Sequence, residues 1–110
     1  MKVEQKGHTT IIRNTQGNTA DFQFKIVHEY NSFKSKNLIL DLSHDKQLTM
    51  QDIKLFVDLA KLHKTAKKSL VLVTDNIDFN AVPVSITVAP SLLEAHDIIE
   101  MDEIERDLGF

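Results

Sequence analysis

The stretch Asn37-Leu-Ile-Leu-Asp-Leu-Ser43, followed by Leu48-Thr-Met-Gln-Asp-Ile53 and a long apolar-striped segment, decides the fold. Leu38 to Leu42 is almost unbroken apolar sequence, the pattern of a strand covered on both faces. Thr49 and Asp52 stand at the T-x-x-D spacing of a capping box, so a helix starts there. Behind them Ile53, Phe56, Val57 and Ala60 mark one apolar helix face, and Leu55, Leu59 and Leu62 widen it. Lys61, Lys64, Lys67 and Lys68 gather at the far end, where cations complement the helix dipole. Ser69-Leu-Val-Leu-Val-Thr74 then reads as a second buried strand. A buried strand, a helix and another buried strand make a βαβ unit and imply a largely parallel sheet.

The flanking sequence extends this unit in both directions. Residues 2–6 and 8–14 read as two short strands around Gly7, the second rich in the β-branched residues Thr9, Thr10, Ile11 and Ile12. Gln16-Gly17-Asn18 is a turn. Asn18 is a candidate cap, with Asp21 three residues on. Phe22, Ile26, Tyr30 and Phe33 recur at helical spacing, which predicts a helix over 19–33. Residues 75–82 are irregular, with room for one helical turn at most. Val84-Ser-Ile-Thr-Val88 predicts a third strand, and Pro90 blocks its extension. Ser91 and Glu94 form a second capping-box pattern. Leu92, Leu93, Ala95, Ile98, Ile99 and Met101 carry a last helix, through an acidic stretch from Asp102 to Asp107 towards Leu108. The expected order is β-β-α-β-α-β-turn-β-α.

With 110 residues the chain has the length of one domain, taken here as 1–110. A formal charge of −3 gives no global basic field to draw it onto nucleic acid. The absence of cysteine excludes disulfides, thiolate metal sites and a cysteine nucleophile. No apolar run approaches the roughly 18 residues of a membrane span. Met-Lys-Val-Glu-Gln-Lys lacks the apolar core of a signal peptide. A cytoplasmic location without membrane contact is the expectation.

The order of elements resembles that of STAS domains, the family of bacterial anti-sigma-factor antagonists. The likeness runs over most of the chain and is best for residues 36–74 and 86–99. Leu38-Ile-Leu-Asp-Leu-Ser43 resembles the family's central strand, which ends in Asp-Leu-Ser. Ile53 to Leu62, with Asp-Leu-Ala at 58–60, resembles the helix that follows. Leu70-Val-Leu-Val73 resembles the next strand, and Ala89-Pro-Ser-Leu-Leu-Glu-Ala95 is similar to the start of the closing helix. The resemblance implies an α/β, STAS-like fold, a mixed sheet of four or five strands with helices mainly on one face. It also implies a regulatory role through protein binding, with a kinase of the anti-sigma-factor type as the expected partner. Two departures stand out. The family's Asp-Ser-Ser-Gly or Asp-Ser-Ala-Gly loop falls on Thr49-Met50-Gln51-Asp52. Met50 holds the phosphoacceptor position and Asp52 the glycine position. The helix between the last two strands shrinks to residues 76–82. A related binding mode that needs no phosphorylation remains.

The chain also resembles short bacterial proteins named after ribonuclease Z. That name implies a metallo-β-lactamase-fold hydrolase, with a His-x-His-x-Asp-His cluster and a far longer chain. Here His8, His28, His44, His63 and His96 are scattered, with no two at close metal-ligand spacing. No catalytic residue, metal or cofactor is expected.

The expected partner surface comprises Ser43, Asp45, Thr49, Met50, Gln51 and Asp52, with phosphorylation on Ser43 or Thr49 as its regulatory form. The plainer reading of Thr49 is an N-cap. His44-Asp45 has the makings of an acid-base or metal pair, but no third group recurs nearby. A solvated loop explains it. His63 among lysines reads as a surface residue, and His96-Asp97 as early helix turn-mates. Lys61, Lys64, Lys67 and Lys68 form a candidate anion or RNA patch, without the interleaved aromatics that stack on bases. A solvated helix end is the simpler reading. The acidic tail, Glu100 to Asp107, has the complementary sign and suits pairing with that patch in a homodimer. Ile104, Leu108 and Phe110, if exposed, suggest a partner surface. An RNA-processing accessory and a small-ligand carrier are the alternatives. For the carrier, the expected pocket lies at the strands' carboxyl ends.

Overall fold

The computed structural model describes residues 1–109; Phe110, a candidate partner contact, lies outside them. Strand β1 (Lys2–Lys6) turns into β2 (Thr9–Arg13) through the two-residue loop Gly7-His8. Gly7 has φ +61°, and a positive φ in so tight a loop matches the right-handed strand twist. Next come α1 (Thr19–His28), α2 (Tyr30–Phe33), β3 (Asn37–Asp41), α3 (Met50–Lys54) and α4 (Val57–Thr65). Strand β4 (Leu70–Val73), a 3₁₀ turn (Phe79–Ala81), β5 (Thr87–Ala89) and α5 (Leu92–Asp107) complete the order.

The five strands lie in sequence order, with β1 antiparallel to β2 and all later pairs parallel. Each parallel step moves the same way across the sheet. Right-handed crossovers therefore put every connecting helix on one face. That face carries α1 to α4 over Ile12, Leu38, Leu40, Leu42, Leu70 and Leu72. Strand alternation sends Ile11, Ile39, Val71, Val73 and Ala89 to the opposite face. No crossover covers that side. Helix α5 follows the last strand, is free of the crossover rule, and packs there through Ala95 and Ile99. All five residues of β3 are buried as a result.

The expected helices form, but two of them break. The 19–33 segment divides at Glu29, whose φ and ψ of −102° and 10° leave the helical region. The predicted face survives, with Phe22, Ile26 and Phe33 buried and Tyr30 half-buried. The next helix divides at Leu55-Phe56. Ile53, Phe56, Leu59 and Ala60 are buried, whereas Leu55 and Leu62 are exposed. So wide a stripe exceeds what one sheet face can cover. The strand expected over 84–88 is shorter and starts later. Ile86 N–H donates to the Pro83 carbonyl at 3.0 Å, closing a turn that leaves Val84 in solvent. Caps hold as spaced. Asn18 accepts from the Asp21 amide, Thr49 and Asp52 form a reciprocal box, and Ser91 accepts from the Glu94 amide.

His63 is not at the surface, contrary to its lysine-rich context; it is fully buried. Tyr30 Oη lies 2.7 Å from Nδ1, and Nε2 lies 2.8 Å from the Lys36 carbonyl oxygen. A carbonyl only accepts, so Nε2 carries the hydrogen, and in the neutral ring Nδ1 is left to accept from the phenol. The imidazole ties α4 to α2 and to the entry of β3. Burial pushes its pKa down, reinforced by the charges of Lys68 and Arg106 and opposed by the Lys36 carbonyl. Burial pushes the Tyr30 phenol up, which keeps its proton in place for this bond.

A histidine that folds neutral binds fewer protons than its unfolded counterpart, so stability falls as pH drops below about 6.5. His63→Leu is expected to remove that slope, and His63→Ala to cost about 2–4 kcal/mol through the cavity and the orphaned Tyr30 and Lys36 groups. Urea unfolding at pH 7.5 and 5.5 measures both.

Candidate functional site

The loop between β3 and α3 leaves the carboxyl edge of the sheet, and three carboxylates shape it. Asp41, the last residue of β3, is buried. Its Oδ1 accepts from the Ser43 amide at 3.0 Å and the Ser43 hydroxyl at 2.6 Å. Its Oδ2 pairs with Arg13 Nε of β2 at 3.1 Å. Asp45 comes next. Oδ2 accepts from the amide and hydroxyl of Thr19 at 3.0 and 2.8 Å, and Oδ1 from the Gln47 amide at 3.0 Å. Thr19 opens α1, so Asp45 satisfies an N-terminal amide left over by the helix and favours its dipole. Desolvation pushes the Asp45 pKa up. The Thr19 and Gln47 hydrogen bonds, with the charge of His44, outweigh it and hold the group below its ordinary value. Asp52 closes the series by accepting from the Thr49 amide at 2.9 Å.

These bonds commit some side chains inward and leave others outward. The Ser43 hydroxyl is half-buried against Asp41, and both Asp45 oxygens serve the fold. Thr49 is exposed, although its hydroxyl lies 3.2 Å from Asp52 Oδ2 and accepts the Asp52 amide at 3.4 Å. Gln51 is fully presented, Asp52 is half-buried, and Met50 is half-buried against the core. The outward face of this loop is therefore Thr49 and Gln51, with Met50 partly exposed between them, on a frame of internally satisfied carboxylates. Neighbouring Asn76 joins the frame, donating to the Lys46 carbonyl at 3.0 Å.

His44 is exposed, and the Asp45 carboxylate bonds to Thr19 and Gln47. His96 is half-buried and Asp97 exposed on α5. His8 lies 3.4 Å from Glu103 at the surface. Among the described residues no three His, Asp or Glu side chains group closely enough to hold a metal ion. No described helix is long and apolar enough to cross a membrane. Of the candidate basic residues, Lys64, Lys67 and Lys68 line a cleft at the strands' amino ends, and Lys61 does not. Ile104 and Leu108 are exposed on the outer side of α5, together with Leu93 and Met101. The Asp45–Thr19 clamp and the burial of His63 escape sequence reading. The one local hint was Asp45 itself, a carboxylate two residues before Gln47 in the Asx-turn pattern.

No protein-family model matches the chain, and no curated protein matches it in sequence. Solved structures do. RsbS from Moorella thermoacetica, as a serine-to-glutamate variant, superposes with a TM-score of 0.65 at 12% identity, over 96% of this chain and 97% of that one. A chain from the structure titled the molecular architecture of the stressosome, a signal integration and transduction hub, gives 0.58 at 12% identity, over 90% and 96%. The fold is the STAS fold, a five-stranded mixed sheet with helices.

Asp45→Ala is expected to lower stability by about 1–2 kcal/mol through loss of the Thr19 cap, and Thr49→Ala by about 1 kcal/mol. The two losses should add in the double variant, because the caps serve different helices. Chemical denaturation of the three variants measures this.

Proposed function

We propose that this chain is a non-enzymatic protein-interaction module of cytoplasmic regulation, similar to an anti-sigma-factor antagonist but without the usual phosphoserine. The observation that carries the reading is the loop at the carboxyl edge. Its carboxylates are used up in holding its shape, while Thr49 and Gln51 are exposed and Met50 is partly so. A rigid loop with flexible and polar tips suits recognition, because little ordering is left for the partner to impose. The likeness to RsbS and to a stressosome chain over nine-tenths or more of the fold supports a regulatory role.

The mechanism follows from the side chains. Met50 offers a polarizable, adaptable apolar contact, and Gln51 and Thr49 add hydrogen bonds beside it. Met50 stands where the family carries its phosphoacceptor, so docking here has no covalent switch at that position. Of the two remaining hydroxyls, Thr49 is the accessible one. Phosphate on Ser43 would set a dianion against Asp41, whose oxygen now accepts that hydroxyl at 2.6 Å. The partner is a protein, with an anti-sigma-factor-like kinase as the expected class.

Affinity capture from the chain's own cells, read by mass spectrometry, tests this. The wild type should retain a serine-kinase-like partner. Gln51→Arg should lose at least about tenfold of that binding with thermal unfolding unchanged, and Met50→Arg should lose it together with some stability, because Met50 also packs on the core. Retention of the same partner by both variants would place docking elsewhere, and capture of a ribonuclease without a kinase would replace the regulatory role with an RNA-processing one.

A further inference from the structure

A cleft of about 630 Å³ lies away from the docking loop, at the amino ends of β4 and β5. That is within the roughly 300–1,000 Å³ of small-molecule sites. Lys64, Lys67, Lys68 and Arg106 line it. Among the described residues none of these four cations has a carboxylate within 4 Å. Two carboxylates, Asp102 and Glu105, line the same opening, so the four cations leave it with net positive charge, which favours a bound anion.

The floor is built. Ser69 is buried, and its hydroxyl donates to Asp102 Oδ2 at 2.7 Å. Arg106 donates to the same hydroxyl oxygen at 3.2 Å and to Asn37 Oδ1 at 3.3 Å. The guanidinium is thereby fixed across the starts of β3 and β4. Lys67 is the one described residue other than glycine with a positive φ, at 62°. It ends α4 in a Schellman motif, with Lys67 N–H to the Lys64 carbonyl at 2.9 Å and Lys68 N–H to the His63 carbonyl at 3.1 Å. Glycine is the usual residue there. A lysine held in that strained conformation at the rim of a cationic cleft points to use of its ammonium.

The remaining lining sets the ligand class. Ser85, Thr87 and Glu105 offer hydroxyls and a carboxylate, and Leu70 and Val84 add apolar area. Among the described residues no aromatic side chain lines the cleft, so none of them offers a nucleobase a surface to stack on. A polyphosphate chain would meet Asp102 and Glu105, whereas a single phosphate leaves them for hydroxyl groups. We propose that this cleft binds a small organic phosphate bearing hydroxyl groups, with the phosphate on Lys64, Lys67 and Lys68 and the hydroxyls on Glu105 and Ser85. Binding here is independent of partner docking at the opposite end of the sheet.

Titration of the intact chain with ribose 5-phosphate, followed by amide NMR, tests this, with inorganic phosphate and a single-stranded RNA as comparators. Shifts should be confined to residues 64–70, 84–87 and 105–106. Ribose 5-phosphate should bind at least about tenfold tighter than inorganic phosphate, because the hydroxyl contacts add to the charge. Lys67→Gly should unfold at an equal or higher temperature, since glycine suits the left-handed backbone, yet lose affinity at least about tenfold. Lys64→Glu, on an exposed helix position, should lose it as well. Equal weak binding of both phosphates, no shifts at about 10 mM ligand, or RNA binding at these lysines without sugar-phosphate binding would each overturn the proposal.

Discussion

The burial of β3 on both faces is the constraint from which the rest of the architecture follows. Five consecutive residues, Asn37 to Asp41, are out of solvent, and alternate side chains need cover above and below. The right-handed crossover rule supplies only one cover, because the strands are laid down in sequence order and every connection lands on the same side. The second cover has to come from a segment that is not a crossover. Helix α5 is that segment, and its long span is what seals Ile39, Val71 and Ala89. Four apolar side chains on its outer side, Leu93, Met101, Ile104 and Leu108, remain in solvent, so the helix is apolar beyond what the sheet requires.

A strand buried this completely has to end in a way that satisfies its backbone, and carboxylates do that work at its carboxyl edge. Asp41 turns the chain by accepting from Ser43, and its charge is balanced by Arg13 of the neighbouring strand. Asp45 continues the turn and stitches it to the start of α1. The loop is held by bonds to backbone amides rather than by packing alone. The outward Gln51 side chain can therefore vary without changing its shape. That separation between frame and tip is what makes the loop suited to recognition.

At the other edge the balance is reversed. Asn37 and Ser69 begin β3 and β4, and both are buried with hydrogen-bonding side chains. Ser69 N–H donates to Asn37 Oδ1 at 2.9 Å, and Arg106 from α5 completes the network. His63 stands nearby, kept neutral by burial and by the cations around it. The molecule thus carries a carboxylate-framed loop at one end of its sheet and a cation-lined cleft at the other.

What the sequence determined by itself was local. Strand alternation, helical period and cap spacing are written in neighbouring residues, so Leu38 to Leu42, the Asn18, Thr49 and Ser91 caps and the mixed α/β order were legible from the chain. The same periodicity misplaced the start of β5, because a turn closed by Pro83 and Ile86 overrode the alternation of Val84 to Val88. It also ran two helices together, because apolar spacing does not register a break that keeps the buried face aligned. Only the tertiary structure decided where single polar side chains went. Asp45 finds Thr19 across 26 residues, His63 finds Tyr30 across 33, and Arg106 finds Asn37 across 69. A hydrogen bond needs two groups within about 3 Å in the right orientation. Nothing in the residues beside Asp45, His63 or Arg106 names the distant partner that folding brings to them.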